Sequence, residues 1–334
     1  MIPLEAPPGY RAVRPSRADL EAIAEVLVAC DVDEVGHPDF LDAQWLEEEW
    51  DVYCIDLESN AWVVRTAEGR SAAYAHIAEE IPGVTWEAMG WVHPDDRGRG
   101  LGHFLVRATE QDAAAKLSEA GALNLHNIAP GQDAAADELL RSTGFGITRY
   151  FWHMEMPLGP GRPRPPMPPD LEITPFQLQR DERDVHRVLE VAFEKHWGTA
   201  PIAFEKWMQE NVNMPSFDPS LSFVARIKDE IVGVLVGRID HGHGYVNDLG
   251  VLEAHRGRGI GAALLEKSFI AFEVRGLPDV RLNVDAANET GAVRLYERAG
   301  MTAVRTWVVF AKEIGRQAPE TPRRAPGAEP SSLA

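Results

Sequence analysis

One glycine- and arginine-rich stretch occurs twice in this chain, and this repeat constrains the fold more than any other feature. Asp96–His103 reads DRGRGLGH and His255–Ala262 reads HRGRGIGA, so that Arg97 and Arg256 are 159 positions apart. A period of this length is typical of a duplicated domain and is too long for a solenoid repeat. The 334 residues also exceed what one hydrophobic core usually serves, so two domains are expected.

Similar patterns surround both copies of the repeat. Before each copy, two apolar runs joined by a turn predict a hairpin, with first strands at 62–65 and 223–226. After each copy come a long helical pattern, a short strand and a second helix that ends in glycine, Gly144 or Gly300. The order in each half is strand, helix, helix, three strands, helix, strand, helix, strand. This order predicts an α/β fold in which each half is a mixed, mostly antiparallel sheet flanked by helices.

The element boundaries are predicted in most detail for the second half. The strands are expected near 171–175, 221–227, 231–239, 245–252, 279–285 and 303–311. The helices are expected near 182–196, 202–211, 260–275 and 290–299.

A proline-rich stretch marks the division of the chain. Residues 159–169 read GPGRPRPPMPP, which lacks most backbone donors and favours extended polyproline conformation, so it is expected to be a linker. We therefore expect a first module at 1–158 and a second at 170–314. Residues 315–334 contain few large apolar side chains and are expected to be a disordered tail.

Charge and cysteine content restrict the class of protein. The chain has 33 basic and 52 acidic residues, a net charge of −19, which repels nucleic acid and anionic membranes and attracts a cationic substrate such as an amine. Solubility is the alternative role of such a surface. Cys30 and Cys54 form no CxxC pair, and His241 and His243 lack a third ligand, so neither a disulfide framework nor a metal site is expected. Without an apolar leader or span, a cytoplasmic monomer or homodimer is expected.

The repeated stretch has the properties of a phosphate-binding loop. Gly257, Gly259 and Gly261 follow a strand that ends near Val251, and they precede an apolar helix that begins near Ile260. Glycines at this spacing allow a tight turn and expose successive N–H groups, which together with a helix N-terminus suit a pyrophosphate. A flexible surface turn is the alternative, but two copies in the same strand-to-helix position argue against it.

These residues resemble a known family. Val92–Gly102 and Val251–Gly261 both fit VxxxxRGxG[IL]G and resemble the acetyl-CoA motif of the GNAT superfamily of N-acetyltransferases, while Asn288–Met301 resembles that family's next helix. The two-module layout, with FEKHWG at Phe193–Gly198, is similar to mycothiol synthase and related actinobacterial tandem acetyltransferases. The resemblance covers roughly 10–157 and 170–312.

The resemblance implies two tandem GNAT-like domains with acetyl-CoA as the acyl donor substrate. It also implies direct attack of an amine on the thioester. The residues that it implies for acetyl-CoA binding are Leu249, Val251, Arg256, Gly257, Arg258, Gly259, Ile260, Gly261, Ala262 and Asn288 in the second module, and Val92, Arg97, Gly98, Arg99, Gly100, Leu101 and Gly102 in the first.

The same resemblance suggests catalytic roles in the second module. Tyr296 matches the tyrosine that protonates the departing thiolate, and a backbone N–H near Val251 is placed to polarise the thioester carbonyl. Asp248 is our choice as the base that removes the ammonium proton, with Asp285 and His196 as alternatives. Asn288 could contact the pantetheine amides or only cap the helix that follows it.

Two departures from the family pattern limit what can be carried over. When Gly144 is aligned with Gly300, Leu140 stands in the place of Tyr296, so the first module is expected to bind acetyl-CoA without turning it over. Tyr245 occupies the place of a glutamate that contacts substrate in mycothiol synthase, which argues against a mycothiol precursor as the acceptor.

We therefore expect an N-acetyltransferase that acts on a small cationic amine. The alternatives are acetylation of a protein N-terminus or lysine, and a non-catalytic acyl-CoA sensor. The acidic and aromatic segment 40–53 could line a pocket for a cation, or it could be an amphipathic helix whose acids face water.

Overall fold

A computed structural model describes residues 4–39, 41–117, 121–159, 164–214, 217–288 and 290–315. Residues 160–163 of the expected linker and all of the expected disordered tail beyond Gly315 lie outside the described residues. No helix in the described ranges is both long enough and apolar enough to cross a bilayer.

In the described chain, strands and helices follow nearly the same order in both halves, and the first half has one additional short helix, α3. The strands are β1 Tyr10–Val13, β2 Ala61–Thr66, β3 Ser71–Ile81, β4 Thr85–Val92, β5 Ala122–Pro130, β6 Gly146–Pro157, β7 Glu172–Pro175, β8 Phe223–Ile227, β9 Glu230–Asp240, β10 His243–Val251, β11 Asp279–Asp285 and β12 Thr302–Gly315. The helices are α1 Leu20–Val35, α2 Ala43–Val52, α3 Leu57–Asn60, α4 Leu101–Ala115, α5 Ala134–Ser142, α6 Glu182–Phe193, α7 Phe204–Trp207, α8 Ile260–Val274 and α9 Ala292–Ala299.

The predicted boundaries agree with these elements except at one helix. The helix predicted over 202–211 is the short α7, which continues as a π-helix over Met208–Val212. The side-chain amide of Asn211 donates a 3.1 Å hydrogen bond to the Trp207 carbonyl, the group that would accept the regular backbone bond four residues on. This competition accounts for the wider turn.

The strands form one twelve-stranded sheet in the described part of the chain, and its order shows a strand exchange. The order is β1-β2-β3-β4-β5-β12-β6-β11-β10-β9-β8-β7. The last strand of each half therefore completes the sheet of the other half, because β12 pairs with β5 and β6 pairs with β11, both antiparallel. β6 and β12 also pair with each other at the centre. The two halves share their backbone hydrogen bonds and cannot separate without breaking the sheet.

Helices cover both faces of the sheet. In the first half, Val63 and Tyr74 pack with α1 and α2 in one cluster, while the adjacent Val64 and Ala73 pack with α4 in another. In the second half, Val224 and Val234 pack with α6, while Phe223 and Leu235 pack with α8. Because successive side chains of a strand point to opposite faces, the two clusters of each half lie on opposite sides. The predicted class, two α/β modules with a mixed sheet flanked by helices, is confirmed.

A split in the sheet prepares the site in the second half. β10 and β11 are parallel and pair only at Gly244–Val280 and Tyr245–Arg281. Beyond these pairs the two strands diverge, while β11 stays paired with β6 and β10 with β9. The edge of β10 from Val246 to Val251 therefore faces a wedge-shaped opening that leads to the glycine-rich loop.

Candidate active site

The two glycine-rich loops have the same backbone conformation. Gly257 and Gly259 have φ of +74° and +81°, and Gly98 and Gly100 have φ of +72° and +84°. This left-handed region is open to glycine at little cost and disfavours other residues. Gly259 and Gly100 are also the N-cap residues of α8 and α4. The N–H groups of each loop therefore lie beside the free N–H groups of a helix N-terminus, an arrangement that suits an anion.

Arg256 holds the second loop in place. Its Nε donates to the Val251 carbonyl at 3.0 Å, and its Nη2 donates to the Ala192 carbonyl at 3.1 Å. The guanidinium thus ties the end of β10 and the end of α6 to the loop. Arg258 points elsewhere, since its Nη1 lies 3.2 Å from Nδ1 of His255.

A cavity of about 1690 Å³ opens at the divergence of β10 and β11. This exceeds the size of a typical single-ligand pocket, so two substrates can occupy it together. Its lining brings together the sequence-predicted residues of the second module, namely Asp248, Leu249, Val251, Arg256, Gly257, Gly259, Ile260, Gly261, Ala262, Asn288 and Tyr296. Arg258 and the first-module loop residues Val92, Arg97, Gly98, Arg99, Gly100, Leu101 and Gly102 are outside this lining.

Tyr296 lies on α9 with only 7% of its surface exposed. Burial raises the pKa of its hydroxyl above the ordinary value, and the nearby Asp248 and Tyr245 add to the shift. The hydroxyl therefore stays protonated at neutral pH, which a proton donor requires. The Tyr296 carbonyl accepts from the N–H of Met301 at 3.0 Å, as the Leu140 carbonyl accepts from Phe145, so Leu140 occupies the equivalent place in the first half.

Asp248 lies on β10 at a bulge, where the register shifts between Val246 and Asp248 and Asn247 is the extra residue. The Asn247 amide donates to Oδ2 of Asp248 at 2.8 Å. Burial raises the pKa of the Asp248 carboxyl, and the Asn247 hydrogen bond and the Arg238 charge only partly oppose this effect. A carboxylate with a raised pKa is a better proton acceptor, so this environment suits a general base.

Asp285 and His196, the two alternative candidates for the general base, also line the cavity. Their neighbours affect them in different ways. Asp285 lies 3.7 Å from the Arg149 guanidinium and accepts a 2.9 Å hydrogen bond from the Ala287 N–H. Burial lowers the pKa of His196, and the Arg256 charge lowers it further. Asp285 is therefore occupied by a structural pair, whereas His196 is a neutral side chain at pH 7.

Asn288 is used at the start of the helix that follows it. Its Oδ1 accepts from the N–H of Thr290 at 2.9 Å and from the Thr290 hydroxyl at 2.6 Å, with a longer contact to the N–H of Ala292. Of the two roles considered for Asn288, its side-chain oxygen therefore has the second, which is to cap the start of the helix that follows. Any contact with a ligand would have to come from its amide NH₂.

The first half supplies part of the cavity wall. Trp197, in the loop after α6, stacks on His126 of β5 at 5.4 Å between ring centroids, and Phe151 of β6 packs on it at 6.3 Å. His126 in turn lies 3.0 Å from Oε2 of Glu80. Tyr53, the end of β3 from Glu79 to Ile81, and Pro82 after it complete this wall. Sequence reasoning missed Glu80 because no local signal shows which strands face each other across an exchanged sheet. It missed Glu210 because the π-helical turn that carries this residue was predicted as a regular helix.

The segment 40–53 was considered either as an amphipathic helix or as the wall of a pocket, and different parts of its described residues have each of these roles. In α2, Leu46 and Trp50 are buried while Glu47 and Asp51 are exposed, as in an amphipathic helix. Tyr53, at the end of the segment, lines the cavity.

The loop of the first half carries its own ion pairs. Arg97 pairs with Asp33 of α1, and Nη1 of Arg99 donates to the Tyr10 hydroxyl at 3.0 Å. Cys30 donates to the Val92 carbonyl at the end of β4. The Asp33 carboxylate therefore already pairs with Arg97, the side chain that a diphosphate bound at this loop would need.

Comparison with known proteins agrees with this geometry. The profile of the Acetyltransferase (GNAT) family matches residues 20–145 and 183–301. The mycothiol acetyltransferase of Thermobispora bispora is 34% identical over 63% of this chain and 70% of its own. The mycothiol acetyltransferase of Acidothermus cellulolyticus is 31% identical over 73% and 77% of the two chains.

Solved structures show the same architecture. A GCN5-related N-acetyltransferase from Sphaerobacter thermophilus is 32% identical, superposes with a TM-score of 0.80 and covers 93% of this chain and 98% of its own. A tandem GNAT protein from the clavulanic acid biosynthesis pathway shares the fold at 15% identity, with a TM-score of 0.69 over 92% of this chain and 100% of its own. The chain therefore belongs to the GNAT acetyltransferase family and is an N-acetyltransferase with two modules of that family in tandem.

Proposed function

We propose that the second module transfers an acetyl group from acetyl-CoA to an amine of a small cationic molecule. The observation that carries this proposal is the single cavity that joins the loop at Gly257–Gly261 to Tyr296 and Asp248. Direct transfer requires donor and acceptor in one space, and this cavity has room for both.

The donor would lie in the wedge between β10 and β11. The N–H groups of the loop and the N-terminus of α8 bind the diphosphate. The unpaired edge of β10 offers backbone groups to the pantetheine amides, and the N–H near Val251 stabilises the oxyanion that forms on the thioester carbonyl.

The chemistry then needs two protons removed from the nitrogen and one supplied to the sulfur. Asp248 takes the first proton from the acceptor ammonium, directly or through water, and the free amine attacks the thioester carbonyl. The C–N bond forms, the C–S bond breaks, and Tyr296 protonates the departing thiolate. The acylated nitrogen then loses its second proton to water, which gives the neutral amide. The products are an acetamide and coenzyme A.

The acceptor is proposed to be small because both halves wall the cavity. The loop after α6 reaches across to His126, and the β3–β4 turn lies at the opposite side. The relatives that match most of the chain are named mycothiol acetyltransferases. Tyr245 occupies the place of the glutamate that contacts substrate in mycothiol synthase, and this departure argues against a mycothiol precursor as the acceptor here.

Tyr296→Phe tests the proposal. Coenzyme A thiol release with a panel of amines should fall by about 10²-fold or more, because general acid catalysis is lost. The affinity for acetyl-CoA, measured by calorimetry, should stay the same. Tyr150→Phe, at an exposed tyrosine of β6, is the matched control and should leave turnover intact. Binding of acetyl-CoA with no transfer to any amine in the wild type would instead show an acyl-CoA sensor, and transfer only to peptides would show a protein acetyltransferase.

We also propose that the first module binds acetyl-CoA without turnover. Its loop has the same turn conformation, but Leu140 cannot donate a proton and Asp33 competes for Arg97. Coenzyme A should therefore bind more weakly there than in the second module.

A further inference from the structure

Two side-chain amides connect Asp248 to the π-helical turn that walls the cavity. Asn247 precedes Asp248 on β10, and Asn211 lies in the π-helical turn Met208–Val212. All three side chains line the cavity, although the two asparagines are 36 positions apart in the chain. The function proposed above assigns a role to Asp248 but to neither asparagine.

The bulge in β10 brings the Asn247 side chain to Asp248. In a regular strand, the side chains of neighbouring residues point to opposite faces of the sheet. Here the register shifts between Val246 and Asp248, and the Asn247 side chain donates a 2.8 Å hydrogen bond to Oδ2 of the residue next to it. A bulge can redirect a side chain in this way. The bulge therefore places a hydrogen-bond donor directly beside the carboxylate.

The side-chain nitrogen of Asn247 has two N–H groups, and each of them has an acceptor. One donates to Oδ2 of Asp248 at 2.8 Å, and the other donates to Oδ1 of Asn211 at 3.3 Å, which is the weaker of the two bonds. If the Asn247 amide were turned over, its oxygen would face two other acceptors. The two bonds together therefore fix which end of this amide faces the carboxylate.

The π-helical turn supports Asn211 in the same way. The side-chain nitrogen of Asn211 donates to the carbonyl of the buried Trp207 at 3.1 Å, so its oxygen is the end that accepts from Asn247. The turn is closed by the Asn213 N–H, which donates to the Met208 carbonyl at 2.8 Å. Single π-helical turns occur frequently at functional sites. In this protein the turn directs a side-chain oxygen towards the strand that carries Asp248.

The other groups around Asp248 contribute charge rather than hydrogen bonds. Within the described ranges, the carboxylate accepts a side-chain hydrogen bond from Asn247 alone. Arg238 of β9 is the cation that acts on it, and this guanidinium stacks 4.9 Å from the ring centroid of Tyr245. Burial raises the pKa of the Tyr245 and Tyr296 hydroxyls, so both are neutral at pH 7. Asn247 is therefore the group that can orient the carboxylate.

We propose that Asn247 is a positioning residue for the general base, which holds the Asp248 carboxylate with Oδ1 free for the acceptor amine, and that Asn211 acts through Asn247 by fixing its amide. This inference rests on the acetyl transfer proposed above. The Asn247 side chain is exposed to the cavity, so its bonds compete with water until the substrates fill this space. They then strengthen, because charges interact more strongly where water is scarce.

Asn247→Ala tests this inference through the pH profile of thiol release from acetyl-CoA. The acidic limb of kcat/KM should move to higher pH, because the hydrogen bond that lowers the pKa of Asp248 is lost. On the plateau above this limb, kcat should fall by about tenfold, because the base is no longer held in place. A carboxylate with a higher pKa is by itself a stronger base, so a lower plateau measures lost positioning and not lost basicity.

Asn211→Ala tests the second amide. The limb should move in the same direction by a smaller amount and kcat should fall by about threefold, because Asn247 keeps its bond to Asp248 but loses its support. The double variant should be no slower than Asn247→Ala alone, since Asn211 has no effect once the Asn247 amide is gone. Asn213→Ala, at an exposed asparagine that follows the same turn, is the matched control and should change neither the limb nor kcat.

The affinity for acetyl-CoA, measured by calorimetry, should be unchanged in every variant and shows that the cavity is folded. If Asn247→Ala loses this affinity, the limb and the plateau of Asn211→Ala decide. An unchanged limb and plateau in a folded Asn247→Ala would overturn the inference and leave the N-acetyltransferase function standing. Additive losses in the double variant would overturn the action of Asn211 through Asn247. No thiol release from the wild type with any amine would overturn the proposed function and this inference together.

Discussion

At the scale of single residues, burial shifts the pKa of two ionisable groups of one cavity in the directions that the proposed acetyl transfer would use. Burial raises the pKa of the Tyr296 hydroxyl, so it remains a donor, and also raises the pKa of the Asp248 carboxyl, so it becomes a stronger base. The sequence and its family resemblance made both positions candidates but could not show this environment, because Asp248 lies on β10 and Tyr296 on α9, and only the fold brings them to one cavity.

The role of Asp248 can be tested by its pH profile. In the wild type, kcat/KM should rise with pH as the Asp248 carboxyl ionises, at a pH above the ordinary aspartate value because burial raises its pKa. Asp248→Asn should lower kcat by about 10²-fold and remove this acidic limb. Asp285→Asn is the comparison, since Asp285 pairs with Arg149. If the limb persists in Asp248→Asn and disappears in Asp285→Asn, Asp285 is the base.

At the scale of elements, the glycine-rich loops and the exchanged strands determine what each half can do alone. The loops are local: both copies adopt the same left-handed turns before a helix, as their sequences predict. The pairing of the strands is not local, since β5 is paired with β12 along its whole length and β11 is paired with β6.

The loops allow a paired test of coenzyme A binding in the two modules. Gly259→Val should abolish the tighter binding site and turnover, because a β-branched residue is strained at a positive φ. Gly100→Val should abolish the weaker site and leave the turnover rate of the wild type. Calorimetric titration gives the number and affinity of the sites. Loss of turnover in Gly100→Val with the tighter site intact would contradict the assignment of catalysis to the second module.

The exchanged strands predict that neither half is stable alone. A fragment 1–158 would lack β12, the partner of β5, while a fragment 159–334 would lack β6 and leave β11 paired only with β10 at two positions. Each fragment alone should aggregate or remain unfolded by circular dichroism, because exposed strand edges associate. Refolding the two fragments together should restore a one-to-one complex and activity. A monomeric, cooperatively folded single fragment would contradict the exchange.

At the scale of the whole molecule, a group of ion pairs connects the two halves of the chain. Asp39, in the loop after α1, pairs with Arg281 of β11 at 2.9 Å and Arg305 of β12 at 3.5 Å. Close by, His241 of the β9–β10 turn lies between Asp240 and Asp42, and the hydrogen bond with Asp240 raises the His241 pKa to about 9 despite burial.

Removing Asp39 should destabilise the whole protein. Its side chain is 13% exposed. Asp39→Ala would remove the carboxylate that Arg281 and Arg305 share and leave them with Asp279 and Glu34, at a cost of about 2 kcal/mol in the free energy of unfolding. Asp51→Ala is the control, because the 57% exposed Asp51 pairs with Arg17 at the surface and should change stability by less than about 1 kcal/mol. Urea unfolding monitored by tryptophan fluorescence measures both values.

The pH dependence of these pairs has opposite signs. Burial alone would raise the pKa of Asp39, but the hydrogen bond and charge of Arg281 outweigh it and the pKa is lowered. Its contribution is therefore present above the ordinary pKa of 3.8 and lost as pH falls below it. The raised pKa of His241 contributes fully below 6.5, and this contribution is lost as pH rises through about 9. Asp39→Ala should thus cost less stability at pH 3 than at pH 7, and an equal loss at both values would contradict this account.

The sequence alone determined the duplicated α/β fold, most element boundaries, the glycine-rich loops and the position of Tyr296. Period-two and helical apolar patterns, turn residues and glycines at fixed spacing act within short stretches of chain, so they can be identified locally. Only the tertiary structure decided that β6 and β12 change places, because an alternating strand pattern specifies a buried face and not a partner. The tertiary structure also brings Tyr53 and Glu80 of the first half to the wall of the cavity in the second half, and no local signal could have placed them there.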